Sequence, residues 1–270
     1  MTVIRHGTYR EILRVNIPIG ILSRSFQLIV AQPHRTLFVI APGAVLYLFA
    51  AALLFMSVNQ TAGPEASNAI KSYPMLAAAV VVTCLAWMSF AILWHRHALL
   101  EGDQRAKVMR PGADVYGQYF KSTLVIFLIM FVLVLGGGIA TGIAALVLNA
   151  AAGPMIGGFA SIGLLIAFFT GLSWVLLRIS LILPAAATGR DMGYQDSWDA
   201  TRPVARDIFW TAVLLAIVNT VLQQLAIGLA GALPAYTLIF DIALAAIQGL
   251  VYVSVLSTLY GHLIQGRSLS

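Results

Sequence analysis

Charge is scarce in this 270-residue chain: 16 Lys and Arg and 10 Asp and Glu make up 10% of it, against about 25% in an average soluble domain. Cysteine is nearly absent. Cys84 alone excludes an intramolecular disulfide framework and any all-cysteine metal or iron–sulfur site. It lies inside an apolar run and is expected to be a small packed residue. The chain also lacks a phosphate-binding G-x-x-x-x-G-K-[ST] loop, an H-E-x-x-H zinc motif, a G-x-S-x-G nucleophile elbow and a paired-carboxylate motif. No polar segment is long enough for a catalytic domain. A cleavable leader is not visible either. Residues 1–35 carry five Arg and no early apolar core with a small-residue cleavage site, so the first spanning helix is expected to serve as the insertion signal.

Apolar sequence fills the space. The hydrophobic fraction is 60% and the mean hydropathy is +0.91. Neither a water-soluble domain nor a disordered chain can solvate that much apolar surface. The net charge of +6 and the pI of about 9.7 would suggest nucleic acid in a soluble protein. In a membrane protein they follow from topology, because cytoplasmic loops collect Lys and Arg. Nucleic acid is therefore not an expected partner.

A hydrocarbon core about 30 Å thick needs about 20 apolar residues of helix. Residues 36–57 and 72–94 each satisfy this as charge-free windows. Residues 122–177 contain no charged side chain over 56 positions, too many for one helix and right for two, with the break at Asn149–Pro154. Residues 208–266 hold one charge, Asp241, and break at Gly231–Pro234. Pro154 and Pro234 fall where a new helix starts, the position that tolerates a missing N–H. The expected fold is all-α and polytopic. A cytoplasmic or interfacial segment, 1–35, precedes a membrane domain, 36–266, of six spans in three hairpins, at about 36–57, 72–94, 122–148, 155–177, 208–230 and 235–264. Alternate connections then carry 15 Lys and Arg on one side and one, Lys71, on the other. That asymmetry predicts that both termini are cytoplasmic.

The cytoplasmic segments carry structure of their own. Residues 20–32 mix Arg24 and Gln27 with apolar residues, as an interfacial amphipathic helix would. Residues 113–121 set Tyr116, Tyr119 and Phe120 beside Lys121, an aromatic-belt composition. Tyr194, Trp198 and Thr201 form one helical stripe, after which Pro203 restarts the chain. An interfacial helix ahead of each hairpin would make a threefold repeat; a common membrane-loop grammar gives the same pattern.

Three sets of polar residues are candidates for function. Asp241 lies about seven residues past Pro234, so roughly 10 Å below the outer surface. An intramembrane carboxylate there is a functional hypothesis by default. Gln248 continues its face, and Gln223, Gln224 and Asn219 lie on the preceding span, the glutamines at matching depth and Asn219 deeper. They form either a polar path for a proton or cation, or interhelical glue. His95, Arg96 and His97 end the second span. His95 and His97 are two residues apart and point about 200° from each other on a helix, so they are poor co-ligands, and no metal or cofactor is expected. The simpler reading is a basic helix end snorkelling to headgroups, with Trp94 in the aromatic belt. Arg178 interrupts apolar sequence at the end of the fourth span. It either holds a lipid phosphate or, the favoured reading, pairs with Asp191, Asp196 or Asp199, while Pro184 stops or kinks the helix. Arg202 adds to the same basic face.

Small residues have a packing role. Gly163, Ala167 and Gly171 form a stripe on the fourth span, and Gly137, Thr141 and Ala145, flanked by Gly136 and Gly138, do so on the third. Pro42 and Gly43 predict a kink in the first.

Two stretches together carry a family likeness: WHRHALLEG at 94–102, and R-x-S-L-x-L-P-A-A-A at Arg178–Ala187 followed by S-W-x-x-T-R at Ser197–Arg202. They resemble a family of uncharacterised six-helix inner-membrane proteins of proteobacteria, and more distantly the membrane domain attached to some glycerophosphoryl diester phosphodiesterases. The resemblance covers about residues 20–265. It implies the six-helix membrane fold, assigns no catalytic residue within it, and brings no phosphodiesterase barrel into this chain. The expected function is that of a non-enzymatic integral membrane protein organising lipid or a complex, with membrane lipids and a protein partner or second copy as its contacts. The alternative is a small transporter or channel built around Asp241.

Overall fold

The computed structural model describes residues 17–61 and 66–269, and among them every regular element is helical. Residues 1–16, with Arg5, Arg10 and Arg14, residues 62–65 and Ser270 lie outside the described residues. The elements are α1 (Ile17–Val30), α2 (Pro33–Thr61), α3 (Ala66–Leu99), α4 (Ala113–Ile179), α5 (Ile182–Ala187), α6 (Tyr194–Thr201), α7 (Ala205–Ala232) and α8 (Thr237–Leu263). α4 is two antiparallel arms. Gly153 breaks it with φ 75°, a left-handed conformation that only glycine adopts freely. The second break is a single 3-10 turn, Pro234–Tyr236, after α7. Among the described residues six helices are long and apolar enough to cross a membrane: Pro33–Ser57, Tyr73–Leu99, Ala113–Gly153, Met155–Ala187, Tyr194–Ala232 and Ile239–Leu263. The protein is an all-α polytopic membrane protein.

Packing is concentrated at one end. In the up-and-down order of the spans, the end of α3, both outer ends of α4, the start of α7 and the end of α8 lie together with α1 and α5. The buried side chains come from those segments: Ile92 and Trp94 of α3, Tyr119 of α4, Leu177 and Leu181 leading into α5, Ile208 and Leu215 of α7, Val255 and Tyr260 of α8, and Ile21 of α1. Toward the opposite end the helices are bare on several faces. Leu146, Met155 and Phe159 are 73%, 76% and 70% exposed. Acyl chains solvate such side chains as well as a protein core does, so a membrane protein gains little by burying them.

The far ends are held by backbone proximity instead. A Cβ on Gly157 would lie 2.5 Å from Asn149 Cα, and Asn149 Nδ2 donates to Ser161 Oγ at 3.0 Å across the turn. A Cβ on Gly137 would collide with the Phe168 ring. The expected stripe on the fourth span behaves differently. Gly163 and Gly171 face open space, as do Gly136 and Gly138, so one glycine of that set, Gly137, makes the close approach.

Gly43 does the same for the first hairpin. A Cβ there would meet Phe90 Cβ at 2.7 Å and Ala86 O at 3.0 Å, so α2 rests directly on α3, and Tyr47, Trp87 and Phe90 stack edge-to-face beside it. Gly43→Val is expected to cost about 1–3 kcal/mol through overpacking. A thermal melt in lipid nanodiscs checks this; an unchanged melting temperature removes the close-approach role.

Three expectations change here. Cys84 is exposed on α3 rather than packed. Residues 113–121 are the first turns of α4 itself, with Tyr119 turned into the core and Phe120 outward, so interfacial helices separate from the spans precede only the first and third hairpins. Pro184 does not kink the fourth span: that helix ends at Ile179, and Pro184 sits in the first turn of α5, where its missing N–H has no intrahelical partner to lose. α5 is packed under the bundle, with Ala185, Ala186 and Ala187 at most 1% exposed.

Candidate functional site: the basic end of the bundle

The last turns of α3 were expected to snorkel. They are core instead: Trp94 and His95 are 0% exposed and Arg96 is 7% exposed. The helix end is enclosed because α1, α5, α8 and the start of α4 converge on it. Arg96 is kept there by carbonyls, donating from Nη1 to Ala187 O at 3.0 Å and from Nε to Val108 O at 3.3 Å. A buried guanidinium must find acceptors for its fork of donors, and the carbonyls ending α5 and the 102–107 turn supply them. His97, on the opposite side of the helix, is half-buried against the Trp94 ring at 5.7 Å.

His95 ties α3 to α8. Its Nδ1 lies 2.8 Å from Ser257 Oγ. Ser257 Oγ also lies 2.7 Å from Val253 O and donates its one proton there. His95 Nδ1 therefore carries the proton of the imidazole–hydroxyl bond, and Nε2 is left as an acceptor without a partner among the described residues. Serine and histidine side by side have the atoms of a nucleophile and its base. Here the hydroxyl proton points away from the imidazole and both residues are sealed, so the pair acts as an interhelical tie. A second tie joins α1 to α8, Ser25 Oγ to Thr258 Oγ1 at 3.0 Å. It accounts for the placement of α1, which packs with Ile21 1% exposed instead of only resting at the interface.

Arg178 has an internal role, with different partners from those expected. Nε donates to Thr201 Oγ1 at 3.1 Å and Nη2 to Trp198 O at 2.9 Å, and the guanidinium lies 3.5 Å over the Trp198 ring, with Trp174 5.1 Å away. No ion pair to Asp191, Asp196 or Asp199 forms among the described residues. Asp196 accepts instead from Gly193 N at 2.8 Å and starts α6, and Asp191 accepts from Gln118 at 3.5 Å. Ser197 Oγ donates to Arg178 O at 2.6 Å. Thus the R-x-S and S-W-x-x-T-R stretches are halves of one contact: Arg178 with Ser197, Trp198 and Thr201. Arg202, the last residue of the second stretch, is exposed.

The intramembrane candidates do not converge. Asp241, Gln223 and Gln224 are exposed, and no hydrogen bond among the described residues links Asp241 to either glutamine. Gln248 is half-buried. Asn219 is half-buried beside Tyr252, with Ser173 on the other side of that hydroxyl. This joins α7, α8 and the second arm of α4. Ser173 escaped notice in the sequence because one hydroxyl in an apolar helix has no distinguishing pattern.

No group of three or more His, Cys, Asp and Glu placed to hold a metal occurs among the described residues. What the basic end does offer is a cleft of about 480 Å³ between α1 and the end of α3, whose lining includes Arg24, Gln27, Trp94, His97 and Arg105. Its closing edge is the C-terminal tail. Arg267 donates to Ala98 O and Leu99 O at 2.8 and 2.6 Å and pairs with Glu101 at 3.0 Å, capping α3. Compared with protein-family models, curated proteins and solved structures, the chain matches none.

Proposed function

We propose that this chain is a non-enzymatic integral protein of a bacterial inner membrane, with both termini cytoplasmic, whose ordered cytoplasmic end organises membrane lipid or a partner complex. Membership of the six-helix family that it resembles is part of the same proposal. The observation that carries it is the coincidence of packing with charge. The end that collects 12 of the 13 Lys and Arg among the described residues is also the end where α1, α5 and α6 are built onto the spans. A bundle that served only to cross the bilayer would have no need of those additions. The exposed positions of Asp241, Gln223 and Gln224 give a transport path no enclosed lining.

The test is purification in native lipid particles followed by mass spectrometry. A stoichiometric protein or a retained lipid class is expected. A bare protein that conducts a solute, with flux lost in Asp241→Asn while the fold persists, would establish the transporter alternative.

A further inference from the structure

The cleft between α1 and the end of α3 has the chemistry of an anion site. Arg24 and Arg105 both line it, are exposed, and form no ion pair among the described residues. Arg24 has one long contact, to Gln27 Oε1 at 3.4 Å. The one carboxylate lining it among the described residues, Glu101, is already engaged by Arg267. Trp94 also lines the cleft. Two guanidinium groups without an ion pair therefore call for a negatively charged partner.

Location selects the source of that partner. Trp94 and His97 lie in the last turns of the span 73–99, at headgroup depth for a helix of that length. Ile19, Phe26 and Val30 make an exposed apolar stripe on α1, suited to the acyl boundary. Farther into the membrane, Trp87 and Phe90 lie on the same stripe of α3 as Trp94 and His97, and they line an apolar cleft of about 200 Å³. Charge at the end of the stripe and an apolar recess two to three turns deeper match the two halves of an amphiphile.

We propose that this cleft binds the phosphate group of an anionic glycerophospholipid, with Arg24 and Arg105 as counter-charges. This rests on the lipid-organising reading above and names its ligand. The test is native mass spectrometry of the full chain, with phosphatidylglycerol, phosphatidylcholine and inorganic phosphate as separate probes. Wild type is expected to retain one phosphatidylglycerol in preference to phosphatidylcholine. The double variant Arg24→Gln, Arg105→Gln is expected to bind it about thirtyfold more weakly. Arg206→Gln, at an exposed site outside the cleft, should leave binding unchanged. Circular dichroism confirms that each variant is folded. Equal retention of the two lipids, unchanged binding in the folded double variant, or displacement of phosphatidylglycerol by millimolar inorganic phosphate overturns the proposal. A protein partner held equally by wild type and the double variant, without lipid preference, overturns this site while leaving the organising function intact. Loss of both partner and lipid from wild type removes the two together.

Discussion

Arg178→Ala is expected to destabilise the protein by about 2–4 kcal/mol, read as a lowered melting temperature in lipid nanodiscs. The substitution deletes two charge-assisted hydrogen bonds, to Thr201 and Trp198, and the guanidinium stacked on the Trp198 ring. Each such bond contributes about 1.5–3 kcal/mol, and a desolvated cation–π contact about 2. Recovery of the guanidinium's desolvation penalty offsets part of the loss, so the net effect is smaller than the sum. Arg178→Lys is expected to recover only part of it, leaving a deficit of about 1–2 kcal/mol. An ammonium is a point charge and cannot lie flat on an indole while donating in a fixed fork. Because the contact joins α4 to α6, the loss should appear first as faster hydrogen exchange across 194–204, with the α2–α3 hairpin unaffected. Equal stability of Arg178→Ala and wild type would remove the buried guanidinium from its structural role.

His95→Ala is the second large effect, at about 2–4 kcal/mol. The imidazole is 0% exposed at the junction of α3 and α8, so its removal leaves a cavity that the surrounding aromatic side chains cannot fill. Ser257→Ala removes the acceptor of the Nδ1–H bond together with the hydroxyl's donation to Val253 O, and should cost about 1 kcal/mol. The two losses should be non-additive, by about 0.5–1.5 kcal/mol in a double-mutant cycle, because each substitution breaks the same bond. Strict additivity would mean that the bond contributes nothing and that His95 matters only as volume.

These two residues mark where sequence reasoning reached its limit. The six spans were legible, because length and absence of charge set where a helix crosses, and Gly153 and Pro234 punctuate the turns. Rotation about each helix axis was not. α4 is apolar all round, so no face is marked as inner or outer, and Gly163 and Gly137 look alike in sequence though only Gly137 is approached closely. Cys84 and Asp241 carry the same ambiguity in sequence; both are exposed. At the ends of the helices the ambiguity is one of composition. Tryptophan, histidine and arginine together describe an interfacial belt as well as a core closed by carbonyls and hydroxyls. WHRH turned out to be the second because α1, α5 and the C-terminal tail fold over it. Each of those contacts spans a large sequence separation, Arg96 to Ala187 and Arg267 to Ala98 among them. The Arg178 contact was half legible. A lone arginine in apolar sequence had to be satisfied internally or by lipid, but that hydroxyl, carbonyl and indole would replace a carboxylate depended on the fold of α6.

The decisive measurement is the side of the membrane on which the packed, basic end lies. In a Cys84→Ser background, single cysteines at exposed Gln104, in the 102–107 turn, and at exposed Ala152, beside the Gly153 break of α4, report the two faces. A membrane-impermeant maleimide added to right-side-out membranes is expected to label Ala152→Cys at once, and Gln104→Cys only after permeabilisation. The reverse pattern would put α1, α5 and α6 outside the cell and contradict a cytoplasmic organising surface.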